Sequence, residues 1–211
     1  MTATQISARD LFRTAYDNRY TWDSAFPGYR ADVEVIQGDE TFRGTVDIAA
    51  DLKLTIEGID HPEVQKTLEA QLRDITVHRV RRPFEASHGE NEFAYGETDE
   101  TGAVEIQVSG KAMGSGYKIR DGVITHVSRP VHGMHFEIET RSVFQTGSGY
   151  VPTETDAEFF KDGQLVKRMT YTDTYEVVGG YPLLAKQVLT ATDPDGTATV
   201  TEIRFLNLAL R

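Results

Sequence analysis

The sequence predicts an α+β fold: a long, curved, mostly antiparallel sheet of about ten strands, an unclosed β-barrel, with two helices on the concave side. Three observations carry this expectation. Most of the chain consists of segments with alternating apolar and polar residues, separated by turns rich in Gly, Asp and Pro. Only two stretches repeat their apolar residues at helical spacing. The long C-terminal strands have no cleanly polar face, which suits a sheet bent around a helix or a guest molecule better than a flat sandwich.

The first helix is expected over residues 6–18. Ser7 caps it with Asp10 at the capping-box position, and Ala8, Leu11, Phe12, Ala15 and Tyr16 form its apolar stripe. An aromatic connection follows, with Tyr20, Trp22, Phe26 and Tyr29 around Pro27-Gly28; it reads as a loop packed over a sheet edge or as a lid. Three strands come next, marked by Ala31, Val33 and Val35, by Phe42, Val46 and Ile48, and by Leu52, Leu54 and Ile56. A second helix starts near Asp60, with Pro62 in its first turn and Val64, Leu68, Leu72 and Ile75 as its buried stripe. It ends at the basic run His78-Arg79-Val80-Arg81-Arg82 before Pro83.

Strands resume at Asn91. Asp121-Gly122 predicts a two-residue hairpin turn that pairs Ile119 with Ile124 and Tyr117 with His126. A strand with Met134, Phe136 and Ile138 on one face follows. Asp162-Gly163 predicts a second such turn, which sets Glu158 opposite Lys167. The last hairpin turns at residues 193–196, with Leu189 opposite Val200, Ala191 opposite Ala198 and Leu184 opposite Phe205. No repeat or linker interrupts the series, so residues 1–211 are expected to form a single domain.

Composition narrows the function. The net charge of −11 argues against a general nucleic-acid binder. With no cysteine there is no disulfide, thiolate nucleophile or thiolate metal site. No run approaches the roughly 20 apolar residues of a membrane span, and residues 1–5 lack the basic and apolar regions of a signal peptide. A cytoplasmic protein is expected.

Histidine chemistry was the first candidate for a site. If a strand starts at His132, its period of two puts His132 and His135 on opposite faces, unable to share one ion. Acidic pairs such as Glu137 and Glu139 read as a solvated strand face. Gly114-Ser115-Gly116 lacks the strand-turn-helix setting of a nucleophile elbow. No catalytic residue, metal site or cofactor is therefore expected. The informative strand is the one after Asp162-Gly163: Leu165, Met169, Tyr171, Tyr175 and Val177 share a face, interrupted by Lys167 and Asp173.

The residues Phe160-Lys161-Asp162-Gly163-Gln164-Leu165-Val166, Tyr175-Glu176-Val177-Val178-Gly179-Gly180-Tyr181-Pro182 and Phe205-Leu206-Asn207-Leu208 resemble the C-terminal half of LolA/LppX-type lipoprotein carriers. That resemblance implies an unclosed barrel around helices, with a hydrophobic cavity for acyl chains. The whole chain, through Phe26-Pro27-Gly28-Tyr29, His78-Arg79-x-Arg81-Arg82-Pro83-Phe84 and Tyr117-Lys118-Ile119-Arg120, is also similar to an uncharacterised protein family of cyanobacteria and plastids. The function expected from this shape is non-catalytic binding or carriage of a hydrophobic ligand, a lipid or photosynthetic pigment. Tyr117, His126, Met134, Phe136, Met169, Tyr171 and Tyr175 would line its site. Arg79, Arg81 and Arg82 would dock a membrane surface or an acidic partner. The alternatives are an enzyme using the same cavity, a pigment lyase or small hydrolase, and an assembly factor that binds another protein.

Overall fold

The computed structural model describes residues 6–211, so the N-terminal reading over residues 1–5 lies outside the described residues. In chain order the elements are α1 (Ala8–Asp17), β1 (Gly28–Gln37), β2 (Glu40–Ala49), β3 (Leu54–Glu57), α2 (Pro62–Arg79), α3 (Phe84–His88), β4 (Asn91–Thr98) and β5 (Val104–Gly110). They continue with β6 (Ser115–Arg120), β7 (Val123–Val131), β8 (Met134–Gln145), β9 (Tyr150–Lys161), β10 (Gln164–Val178), β11 (Tyr181–Thr192) and β12 (Ala198–Leu210). The strands hydrogen-bond in the order β3-β2-β1-β12-β11-β10-β9-β8-β7-β6-β5-β4, and β3 and β4 are edges, so the sheet is unclosed. It has 12 strands rather than about ten. The short α3, after Pro83, was not foreseen.

Contacts divide the chain into two compact units: unit 1, residues 6–20, 82–169 and 193–195, and unit 2, residues 21–81, 170–192 and 196–211. In unit 1, α1 begins as the sequence predicts. Ser7 is the N-cap, and its Oγ accepts from the Asp10 N–H at 3.1 Å. The helix buries Ala8, Phe12, Ala15 and Tyr16 against Phe84, Ile106, Val108, Tyr117, Ile119 and Ile124. Its C-terminus is pinned by the chain at Gly149: Tyr150 N donates to the Asn18 carbonyl at 3.0 Å. A Cβ on Gly149 would lie 2.5 Å from that carbonyl oxygen, and φ there is +132°, so only glycine fits.

In unit 2 the most deeply buried side chains include Val33 and Val35 of β1, Val46 and Ile48 of β2, Leu68 and Leu72 of α2, and Ile203 of β12. Each such burial contributes about 1.5–3 kcal/mol. The N-cap of α2 is His61, whose Nδ1 accepts from Val64 N at 3.4 Å; the helix starts just after the predicted Asp60.

Two predicted turns are present. Asp121-Gly122 and Asp162-Gly163 each join adjacent strands with positive φ at both residues, which suits a hairpin's right-handed twist. A further turn of this kind, His132-Gly133 (φ 49° and 79°), was not foreseen. His132 is therefore a turn residue and does not start a strand.

Two registers differ from expectation. A bulge between Lys118 and Ile119 keeps Ile119 opposite Ile124 but pairs Tyr117 with Val127 and Lys118 with His126. The last hairpin is offset by one, with Leu189 opposite Thr201, Ala191 opposite Thr199 and Thr192 opposite Ala198. Its loop takes in Thr197, and a one-residue slip exchanges the faces of a strand. Glu158 forms an ion pair with Arg168 at 2.6 Å.

Candidate functional site

The site grows from β10 and the end of α2, both within unit 2 over the residues concerned. Alternation along β10 leaves Thr170, Thr172, Thr174 and Glu176 exposed, while Tyr171, Asp173 and Tyr175 on the other face are half-buried. The helical period of α2 buries Val64, Leu68, Leu72, Thr76 and Arg79 in turn. Arg79 is thus carried inward with the apolar stripe and is only 7% exposed. This corrects its expected place on a docking surface; Arg81 and Arg82, beyond the helix end, are exposed.

A chain of hydrogen bonds connects these elements. Arg79 Nη2 donates to Tyr175 Oη at 3.0 Å, and Tyr175 Oη donates to Asp173 Oδ2 at 3.3 Å. Gln187 Nε2, from β11, donates to Asp173 Oδ1 at 3.0 Å. Burial pushes the Asp173 carboxyl up to about 6, against the lowering effects of Gln187, Tyr175 and Arg79, and Asp74 adds to the rise. Burial likewise raises the Tyr175 phenol, and it raises Tyr171 to about 12, helped by Asp74 and Asp173. Tyr29, 1% exposed, is raised by burial while the Arg79 charge pulls it back.

Among the described residues, two buried side-chain atoms lack a hydrogen-bond partner: Gln187 Oε1 and Trp22 Nε1. Gln187 is 3% exposed. Trp22 stacks on Phe26 (4.1 Å between centroids) and meets Tyr29 edge-on, while its backbone N–H donates to the Arg79 carbonyl at 2.9 Å. The aromatic connection here is a packed loop over the end of α2.

The other predicted lining residues belong to unit 1. Tyr117 is buried in the α1 core, 4.5 Å from the Phe12 ring. Met134 and Phe136 on β8 and Met169 on β10 are half-buried. His126, expected beside Tyr117 on the apolar face, is moved by the bulge to a position opposite Glu139, and its Nδ1 lies 2.6 Å from Glu139 Oε1. The structure thus brings Tyr175 and Arg79 together, with Tyr171 on the same face of β10. Asp173 and Gln187 completed the set but were missed. The available signal was a carboxylate inside the aromatic row of β10.

Other constellations do less. Ser128, His135 and Glu137 imitate a hydrolase triad, but Ser128 Oγ (3.2 Å) and Glu137 Oε1 (3.3 Å) both approach His135 Nε2, so the ring cannot relay a proton between them. An open groove of about 690 Å³ in unit 2 is lined by Arg30, Asp32, Asp47, Lys53, Glu57 and Arg211, where Asp47 pairs with both Arg30 and Arg211. Among the described residues, no group of three potential ligands could hold a metal ion. No described helix is long and apolar enough to cross a membrane.

The fold and this face define a class: an open antiparallel sheet that presents half-buried aromatic residues and one buried polar chain. More particularly, the chain belongs to the family described as "Protein of unknown function (DUF3386)", whose model matches residues 3–210. No curated protein sequence matches it. Among solved structures, it is similar to the LolA superfamily protein NE2245 from Nitrosomonas europaea, at 12% identity and TM-score 0.33, over 98% of this chain and 94% of that one. It is also similar to a Vibrio parahaemolyticus domain described as an outer membrane lipoprotein-sorting protein domain, at 9% identity and TM-score 0.37, over 97% and 92%. A third similarity is to the Pseudomonas aeruginosa MucA/MucB complex, at 11% identity and TM-score 0.24, over 97% and 99%.

Proposed function

We propose that this protein binds or carries a hydrophobic ligand, a lipid or pigment. One observation carries the reading. Among the described residues, none in the 15-residue β10 is buried, although the strand is hydrogen-bonded on both sides. An interior strand normally packs at least one face against a core. Here Leu165, Met169, Tyr171 and Tyr175 are left half-covered. Covering them with an apolar guest would contribute roughly 25 cal/mol per Å² buried, with no covalent step.

In this reading Met169, Tyr171 and Tyr175, which share one face of β10, touch the ligand. Tyr117 and His126 already have protein partners in Phe12 and Glu139 and act structurally. The exposed Arg81 and Arg82 dock anionic headgroups or an acidic partner. Native mass spectrometry of the protein as purified, with Nile red titration after delipidation, tests the proposal. Retained lipid or pigment, and Nile red binding weakened at least tenfold by Met169→Glu, are expected. A protein that arrives empty and does not brighten Nile red would overturn it.

A second reading, an enzyme using the same face, draws on Asp173, whose carboxyl at about 6 suits a general acid or base. It requires ester or pigment turnover that Asp173→Asn abolishes.

A further inference from the structure

The proposed ligand has an apolar body, and the chemistry of its polar end can be read from the Asp173 chain. Resting on the carrier reading above, we propose that Asp173 and Gln187 form the headgroup site and select a neutral hydroxyl-bearing lipid, such as a monoacylglycerol, over a carboxylate-headed one.

The argument starts from which groups are already taken. Both donors aimed at Asp173 are accounted for: Tyr175 Oη on Oδ2 and Gln187 Nε2 on Oδ1. An ionised carboxylate offers about four acceptor sites, so acceptor capacity remains. Beside it, Gln187 Oε1 is a second acceptor, buried and without a partner. A buried acceptor left unpaired is costly, and a native structure normally satisfies it. Turning the amide over does not help, because Oε1 would then face the carboxylate. The site therefore needs a donor from outside the hydrogen-bond chain.

Charge decides which donor. Arg79 is the cation in this chain, and it is already bonded to Tyr175 and acts electrostatically on Asp173. Asp74 adds negative potential at both Tyr171 and Asp173. A second carboxylate here would meet two acceptors and like charge. A hydroxyl donates to Gln187 Oε1 or Asp173 and brings no charge to desolvate. Tyr171, Asp173 and Tyr175 are half-buried while Gln187 Oε1 is covered, so an entering headgroup passes the β10 row and displaces a covering side chain to reach it.

The experiment is displacement of Nile red from the delipidated protein at pH 8 by three ligands of one chain length: 1-monopalmitoylglycerol, palmitate and methyl palmitate. The glycerol ester should bind at least tenfold more tightly than either of the others, since palmitate repels and the methyl ester cannot donate. Gln187→Met should reduce that preference to under threefold while leaving methyl palmitate binding in place. Equal affinity for all three, tighter palmitate binding, or a preference that survives Gln187→Met would overturn the headgroup site while leaving the carrier reading intact. Displacement by none of the three would overturn both. The comparison among ligands on the unmodified protein stands even if Gln187→Met fails to fold.

Discussion

Around α1 a titratable group set among the aromatic rings is the half-buried His88, and partial burial favours its uncharged form. Around α2 the polar groups are Arg79 and Asp173, joined through Tyr175. His88 meets the faces and edges of Phe12 (5.0 Å) and Tyr16 (4.9 Å), pairs with Asn91 at 3.2 Å, and is pushed down to about 4 by burial and by Arg19, Arg129 and Arg9. A neutral imidazole in an aromatic surround leaves no acceptor waiting. Asp173 has its burial opposed by three partners, and one of them, Gln187, leaves its own carbonyl unsatisfied. The first arrangement is closed and structural. The second leaves one buried acceptor, Gln187 Oε1, without a partner.

The largest test of this contrast is Phe12→Ala. It removes the ring that touches Tyr16, Phe84, His88, Phe93 and Tyr117. A loss of about 3–5 kcal/mol is expected in urea denaturation. A loss below about 1 kcal/mol would mean that the α1 core is not the closed one.

Asp173 gives the next effect. Its folded pKa, about 6, lies above its ordinary 3.8, so the folded state favours the neutral acid. Its contribution to stability is fully present below about pH 4 and is lost as pH rises through 6, by up to about 3 kcal/mol. Asp173→Asn should remove that slope and be the more stable protein at pH 8. Identical pH profiles for the two proteins would refute this.

His88 should act in the opposite sense and more weakly. Its folded pKa, about 4, lies below 6.5, so its contribution is present above pH 6.5 and lost as pH falls toward 4. With the ring partly exposed, about 1–2 kcal/mol is expected. His88→Gln should flatten the acid limb and leave the Asp173 limb alone, as read by thermal melts between pH 4 and 8.

Ser7→Ala should cost least, about 1 kcal/mol, by removing the acceptor for the Asp10 N–H. Ser7→Asp should restore it. No loss on Ser7→Ala would show that α1 is held by its core alone.

The architecture was largely legible from local rules. Asp121-Gly122 and Asp162-Gly163 declared their turns, and Ser7 its cap, because each depends on a few neighbouring residues. The registers that failed depend on one extra residue: the bulge beside Lys118 and the inclusion of Thr197 in the last loop. Composition gives no warning of either, and either reverses a strand face. His126 was misplaced for that reason.

By itself the sequence determined the two long helices, the strands, the Asp121-Gly122 and Asp162-Gly163 turns and the Val64, Leu68 and Leu72 part of the α2 stripe, since these follow from periodicity and backbone chemistry over a few residues. It placed Ile75 in that stripe where Thr76 and Arg79 are buried. Only the tertiary structure decided that Arg79 points inward to Tyr175, and that Asp173 and Gln187, 14 residues apart, meet at 3.0 Å. Burial and long-range pairing set those groups' charges and partners, and neither can be read from a residue's neighbours in the chain.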